Sequence, residues 1–121
     1  MRALVTGIAG FAGSHLAEHL LARGDEVWGL LRPGAPTDNL DRIRERLRLA
    51  EIPLTVDAIR GVMEKARPEV VFHLAGQAHV AEAWRDRIET FQTNVMGTAA
   101  LLGAAASMPQ KPGVLLVSSG E

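Results

Sequence analysis

The glycine-rich stretch T-G-I-A-G-F-A-G at residues 6–13 constrains this chain more than any other feature. It follows an apolar run at residues 3–5 and precedes a helical pattern of apolar residues, so it predicts a strand, a tight turn and a helix. Gly7, Gly10 and Gly13 each lack a Cβ, which permits a tight turn, close approach of a ligand and close packing of the helix on the strand. The helix N-terminus would present free N–H groups and a positive dipole end, which suit a pyrophosphate.

The glycine spacing leaves an alternative open. G-x-x-G-x-x-G differs from the G-x-G-x-x-G of ordinary dinucleotide-binding folds, and glycine triplets also occur in turns that bind nothing. A purely structural role for the three glycines is therefore the competing interpretation of this stretch.

Strand and helix patterns alternate along the rest of the chain. The pattern predicts strands at residues 3–5, 26–31, 47–50, 70–76 and 114–117, and helices at residues 13–22, 55–66 and 87–106. This alternation predicts an α/β fold, a Rossmann-type doubly wound parallel sheet with strand order 3-2-1-4-5. Residues 1–121 are expected to form one NAD(P)-binding domain that is incomplete, because the chain stops after the fifth strand.

Composition excludes several classes of function. With a net charge of −1 the chain has no basic surface for nucleic acid or an anionic membrane, and its apolar runs are too short to span a bilayer. The absence of cysteine removes disulfides and thiolate chemistry, and the four histidines suggest no metal site. No signal peptide is apparent, so we expect a cytoplasmic protein.

Arg32 bears on the choice of dinucleotide. It follows the second strand, where a carboxylate would bind a ribose 2′-hydroxyl and an arginine would bind a 2′-phosphate. The pattern therefore favours NADP over NAD. An arginine that is merely solvated at a strand end remains the alternative.

The long helix predicted at residues 87–106 carries a broad apolar stripe. Its members are Ile88, Phe91, Val95, Met96, Ala99 and Leu102. We interpret the stripe as core or as a face for a partner helix, in preference to a cofactor-binding surface. His73, within the fourth strand, is interpreted as a packed histidine.

Four ordered motifs resemble the extended short-chain dehydrogenase/reductase family of nucleotide-sugar epimerases, dehydratases and reductases. They are T-G-I-A-G-F-A-G, H-L-A-G-Q-A-H-V, T-N-V-M-G-T and V-S-S-G-E, and they span essentially the whole chain. Within the family, the stretch Q-A-H-V-A-E-A-W and the S-S-G-E ending are most similar to those of GDP-mannose 4,6-dehydratases and GDP-4-keto-6-deoxymannose reductases. The resemblance implies a nucleotide-sugar substrate, with a GDP-linked sugar favoured, and a homodimer in the complete protein.

The resemblance also implies site residues. It places dinucleotide contacts at Gly7, Gly10, Phe11, Ala12, Gly13, Arg32, Glu51, Ile52, Leu74, Ala75 and Gly76. Glu51 and Ile52 would lie beside the adenine, although the family usually has the shorter aspartate at the first of these positions. Asn94 would shape the helix near the active site, Ser119 would hydrogen-bond the reacting sugar oxygen, and Glu121 would be the base used by dehydratases.

The chemistry implied by the family is hydride transfer at sugar C4, with a tyrosine phenolate accepting the hydroxyl proton beside a lysine. This chain contains no tyrosine, so we expect the 121 residues to bind a dinucleotide and to catalyse nothing alone. The alternative function is a non-catalytic dinucleotide-binding module that senses redox state or holds a partner.

Overall fold

The computed structural model describes residues 1–76 and 80–118, and its strands form one parallel sheet. The strands are β1 (Arg2–Thr6), β2 (Glu26–Leu31), β3 (Arg48–Glu51), β4 (Val70–His73) and β5 (Gly113–Leu116). Their order is β3-β2-β1-β4-β5, which confirms the predicted fold class and strand order. The order reverses between β1 and β4, and this is the place where such sheets bind ligands.

The connections between the strands are mostly helical. The helices are α1 (Phe11–Ala22), α2 (Val56–Ala66), α3 (Val80–Arg85), α4 (Arg87–Phe91) and α5 (Gly97–Ser107), with a π-helical segment at Gln92–Met96 and short 3₁₀ turns at Asp38–Leu40 and Arg44–Arg46. Because a parallel strand must return by a crossover, these helices cover the two faces of the sheet.

The core has two layers because successive residues of a strand point to opposite faces of the sheet. Leu4 packs with α2 and α5 on one face, where Ile59, Met63 and Leu101 are fully buried. Ala3, on the opposite face, packs in the cluster that includes α1 and the loop after β2.

Helix α2 follows its sequence pattern, which predicts Thr55 as the N-cap and the apolar residues at positions 59, 62, 63 and 66 as the buried face. The Thr55 hydroxyl accepts a hydrogen bond from the Ala58 N–H at 3.3 Å, which confirms Thr55 as the N-cap. The predicted buried face is also confirmed, and it consists of Ile59, Val62, Met63 and Ala66. The helix ends at Ala66, and the C-cap residue Arg67 has a left-handed φ of +46°.

Several predicted boundaries shift by a residue or two. Helix α1 begins at Phe11 and not at Gly13, because the glycine turn closes sooner than the apolar pattern suggests. Strand β3 includes Glu51, which pairs with Leu31 of β2, and excludes Leu47. Strand β5 ends at Leu116 and leaves Val117 outside.

The segment after β4 differs more from its prediction. The sequence pattern predicts a loop at residues 77–83, but V-A-E-A-W-R forms α3, as its good helix formers allow. Residues 77–79 lie outside the described residues. Asp86 separates α3 from α4, because its carboxylate accepts the Glu89 N–H at 2.9 Å as an N-cap. The predicted long helix then runs without a break from Arg87 to Ser107, with its π-helical segment inside.

The core interpretation of the apolar stripe is wrong. Ile88 is 74% exposed, Phe91 57% and Val95 48%. The opposite face of α5 is buried instead, through the small residues of its Ala- and Gly-rich sequence and through Leu101. Small side chains let this helix approach α2 and the sheet closely, so the larger residues point outward.

A pair of alanine substitutions tests the packing of α1. A Cβ at Gly13 would overlap the Gly7 carbonyl oxygen and lie 2.8 Å from the Ile8 Cα, so Gly13→Ala should lower the free energy of unfolding by about 1–3 kcal/mol or more. Gly61, within α2, has no atom within 4 Å of a Cβ position, so Gly61→Ala should raise it by about 0.5–1 kcal/mol. Urea unfolding of the two variants and the parent chain measures both changes in the free energy of unfolding. A Gly13→Ala chain as stable as the parent would contradict this packing.

Candidate nucleotide-binding site

The glycine turn lies at the carboxyl end of β1, beside the carboxyl end of β4. Gly7 has a φ of +66°, and a Cβ there would lie 2.8 Å from the Ala75 nitrogen and 2.9 Å from the Leu74 carbonyl oxygen. The Gly10 N–H donates to the Gly7 carbonyl at 3.0 Å and closes the turn. The turn therefore packs directly on the segment that follows β4, and only glycine satisfies both its backbone angle and this contact.

The N-terminus of α1 is open at this turn. Its N-cap, Gly10, supplies no side-chain hydrogen bond, and the first turn carries no acidic residue. Phe11 is 79% exposed, Ala12 is exposed, and the Phe11 ring packs against His15 with centroids 4.5 Å apart. N–H groups at an uncapped helix N-terminus, together with the positive end of the helix dipole, suit an anion such as a pyrophosphate.

A hydrogen-bond network centred on the buried Thr6 and His73 side chains links the end of β1 to the segment after β4. The Thr6 side-chain oxygen accepts the N–H groups of Leu74 and Ala75, each at 3.1 Å, and lies 2.7 Å from His73 Nδ1. His73 Nε2 lies 3.0 Å from the Thr98 side-chain oxygen, and that hydroxyl donates to the Asn94 carbonyl at 2.8 Å. Since the Thr98 proton is committed to Asn94, His73 Nε2–H donates to Thr98 and Nδ1 accepts from Thr6.

This network fixes one neutral tautomer of His73, and burial lowers the pKa of the ring. The interpretation of His73 as a packed histidine is consistent with its 4% exposure. Sequence reasoning missed its partners Thr6 and Thr98. A threonine at the end of a buried strand, just before a glycine turn, was the available signal, because a buried hydroxyl needs partners.

Asn94 and Gly76 are brought together. A Cβ at Gly76 would lie 3.3 Å from Asn94 Oδ1, so a side chain there would crowd the amide. Asn94 lies in the π-helical segment and is exposed, whereas the sequence pattern had placed it among apolar neighbours. π-helical segments widen a helix locally and are frequent at functional sites. Leu74 and Ala75 are half-buried beside this pair.

A second group of predicted residues lies at the carboxyl ends of β2 and β3. Arg32 is exposed and forms no ion pair with a carboxylate in the described part of the chain. Glu51 is exposed as well, and its Oε1 accepts the Gly34 N–H at 2.8 Å. Ile52 packs partly against the core, and its N–H donates to the Leu31 carbonyl at 2.9 Å. The Glu51 carboxylate thus has a backbone partner in the turn after β2, which the sequence did not predict.

Asn39 is a further residue that sequence reasoning missed. Its Nδ2 donates to the Ala9 carbonyl of the glycine turn at 2.9 Å, although thirty positions separate the two residues. The adjacent Leu40 is fully buried, which anchors this part of the loop and places Asn39 at a fixed point.

Two predicted catalytic residues cannot be placed. Ser119 and Glu121 lie outside the described residues. Within residues 1–76 and 80–118, no three His, Cys, Asp or Glu side chains cluster in a way that could hold a metal ion. No helix in the same ranges has both the length and the apolar character needed to cross a bilayer.

Comparison with known proteins gives consistent relatives. The family model for GDP-mannose 4,6-dehydratase matches residues 4–121. A GDP-6-deoxy-D-mannose reductase of Pseudomonas aeruginosa is 36% identical over 120 residues, covering 99% of this chain and 34% of that protein. The chain therefore spans about a third of the length of this curated relative.

Solved structures agree with this similarity. A UDP-glucose 4-epimerase of Thermotoga maritima, determined with UDP-glucose, superposes with a TM-score of 0.86 at 32% identity, over 99% of this chain and 38% of that one. The UDP-glucose 4-epimerase of Thermus thermophilus, a complex with NAD, gives a TM-score of 0.77 at 36% identity, over 87% of this chain and 33% of that one.

The buried histidine predicts a dependence of stability on pH. The pKa of His73 is lowered from its ordinary 6.5 in the folded chain, so the unfolded chain binds the proton first as the pH falls. The free energy of unfolding should thus be highest above about pH 6.5 and should decrease as the pH falls through the lowered pKa of the folded state. Replacement by glutamine, which does not titrate, should flatten this part of the profile.

Urea unfolding between about pH 8 and about pH 5.5 measures this effect. His19→Gln is the matched control, because it makes the same substitution at an exposed histidine on α1. Equal slopes for the parent chain and His73→Gln would show that the buried ring does not contribute.

Proposed function

Since the chain belongs to the GDP-mannose 4,6-dehydratase family of extended short-chain dehydrogenases and reductases, we propose that residues 1–121 form the NAD(P)-binding part of a nucleotide-sugar dehydratase, epimerase or reductase. The observation that carries this proposal is the turn from Gly7 to Gly10, which packs on the end of β4 and leads into an uncapped helix N-terminus. In this assignment Gly7, Gly10, Phe11, Ala12 and Gly13 surround the pyrophosphate.

The remaining residues divide by position along the dinucleotide. Arg32 binds the adenosine 2′-phosphate, Ile52 borders the adenine, and residues 74–76 line the nicotinamide half. The exposed guanidinium of Arg32, free of a carboxylate partner among the described residues, supports NADP over NAD. The solved structure of the Thermus thermophilus relative is a complex with NAD and does not support NADP. The proposed preference for NADP therefore rests on Arg32 alone.

The reaction proposed for the whole protein is hydride transfer at sugar C4, for which the bound dinucleotide supplies the hydride acceptor. Asn94 shapes the helix beside the reacting end, Ser119 hydrogen-bonds the reacting oxygen of the sugar, and Glu121 removes a proton in a dehydratase. The 121 residues contain no tyrosine to take the hydroxyl proton, so they are inactive by themselves in this proposal. The substrate favoured is a GDP-linked sugar, by similarity to the Pseudomonas aeruginosa reductase. The compartment proposed is the cytoplasm.

The absence of tyrosine favours one alternative, a dinucleotide-binding module without catalysis that senses redox state or holds a partner. Such a module needs the glycine turn and Arg32 but needs neither Asn94 nor Ser119. Both functions predict that cofactor binding is retained when Asn94 and Ser119 are replaced. Turnover of a GDP-sugar by the complete protein would exclude the non-catalytic function.

Calorimetric titration of the chain with NADPH and NADH tests the cofactor assignment. Arg32→Ala should weaken NADPH binding about tenfold or more, because a charge-assisted hydrogen bond to phosphate is worth about 1.5–3 kcal/mol, and should change NADH binding little. Arg46→Ala is the charge-matched control, since Arg46 is another exposed arginine in the loop before β3. Equal loss of NADPH affinity in the two variants would refute the 2′-phosphate contact.

A homodimer is proposed on the exposed apolar face of α4 and its continuation, formed by Ile88, Phe91 and Val95. Phe91→Ser should raise the dissociation constant of self-association at least about fivefold in sedimentation velocity runs, because it removes an aromatic anchor. Leu115→Ser is the control, because Leu115 is similarly exposed, at 52%, but lies on β5. A chain that is monomeric at all concentrations, or that responds only to Leu115→Ser, would rule out this face.

A further inference from the structure

The segment that carries Arg32 forms a defined turn. Pro33 and Gly34 follow the arginine, Gly34 has a φ of +77°, and the Ala35 N–H donates to the Arg32 carbonyl at 3.1 Å. Proline at the second position, glycine with positive φ at the third and this hydrogen bond are the features of a type II β-turn. Arg32 is therefore the first residue of a tight turn at the end of β2.

Glu51 holds this turn from the neighbouring strand. It pairs in register with Leu31, the last residue of β2, and its Oε1 accepts the Gly34 N–H at 2.8 Å. In a type II turn this N–H belongs to the central peptide, so the carboxylate fixes the orientation of that peptide. A hydrogen bond to an ionised acceptor is stronger than one between neutral groups.

Asn39 holds the other end of the segment. Its Nδ2 donates to the Ala9 carbonyl within the glycine turn at 2.9 Å, and the adjacent Leu40 is fully buried. The segment from Arg32 to Leu40 is thus attached to β3 at one end and to the glycine turn at the other. Both attachments are made by exposed side chains.

We propose that Glu51 and Asn39 are positioning residues that fix the Arg32 turn beside the glycine turn and so give the site its selectivity for a 2′-phosphorylated dinucleotide. This inference rests on the proposed function and assigns Glu51 a role other than contact with adenine. An arginine on an untethered loop would lose conformational freedom on binding the phosphate, whereas a segment attached by a side-chain hydrogen bond near each end has lost part of it before binding.

The charge of Glu51 makes a distinguishable contribution of the opposite sign. A carboxylate near the ribose repels a 2′-phosphate, although exposure and salt screen this repulsion. Glutamine at position 51 keeps an oxygen that accepts the Gly34 N–H and removes the charge, whereas alanine removes both. The two substitutions therefore separate positioning from charge.

The experiment is calorimetric titration of Glu51→Ala, Glu51→Gln and Asn39→Ala with NADPH and NADH. Glu51→Ala and Asn39→Ala should each weaken NADPH binding about fivefold, the equivalent of one hydrogen bond, with less than about a twofold change for NADH. Glu51→Gln should bind NADPH within about twofold of the parent chain or more tightly. Asp41→Ala controls for the lost charge, because Asp41 is an exposed acid just beyond the segment.

Two results would overturn the proposal. One is NADPH binding by Glu51→Ala that equals or exceeds that of the parent, which would leave only charge repulsion. The other is Glu51→Gln binding as weakly as Glu51→Ala, which would mean that the neutral acceptor does not hold the turn. If Arg32→Ala leaves NADPH binding unchanged, the proposed contact of Arg32 with the 2′-phosphate is refuted. The proposed selectivity for a 2′-phosphorylated dinucleotide is then refuted with it.

Amide hydrogen exchange separates the two failures without any cofactor. The Gly34 amide should exchange faster in Glu51→Ala than in the parent chain and Glu51→Gln, because only the alanine variant lacks its acceptor. Unchanged exchange in Glu51→Ala would show that the attachment to β3 does not exist, whatever the chain binds.

Discussion

The close contact between Gly7 and the end of β4 is the constraint on which the rest of the site depends. The turn after β1 and the segment after β4 lie so close together that a side chain at Gly7 would overlap residues 74 and 75. The Thr6 hydroxyl links the two by accepting hydrogen bonds from the N–H groups of residues 74 and 75. Because the same hydroxyl donates to His73, the orientation of a buried ring is set by the turn. The glycine turn, the segment after β4 and the π-helical segment are therefore one connected unit.

Much of the fold follows from local sequence patterns. Strand β2 has the predicted bounds, α2 has its predicted cap and buried face, and the strand order agrees with the general rules for alternating strands and helices. These features depend on apolar periodicity, on a capping threonine and on glycine positions, which a single sequence displays directly. The family assignment was accessible for the same reason, because its motifs are contiguous stretches of sequence.

The features that the sequence did not predict correctly are those that depend on tertiary packing. The last long helix has two apolar faces, one of large residues such as Phe91 and one of small residues such as Ala104, and hydrophobicity favours burial of the first. Close packing selects the second, because alanines and a glycine let the helix approach α2 and the sheet. The partners of Glu51 and Asn39 were equally inaccessible, since each depends on which loop residue another element brings within 3 Å.

The two ends of the candidate site are built from interactions of different kinds. At the β1–β4 end the Thr6 and His73 side chains are buried, so breaking their hydrogen bond leaves unsatisfied groups and destabilises the fold. At the β2–β3 end the hydrogen bonds of Glu51 and Asn39 are exposed, and water replaces them at little cost in stability. If the chain binds a dinucleotide as proposed, substitutions at the exposed end should alter its preference between dinucleotides while the fold is maintained, whereas substitutions at the buried end should change stability and binding together. In the proposed function, the residues assigned to the pyrophosphate therefore depend on the buried core, whereas the residues assigned to the adenosine ribose do not.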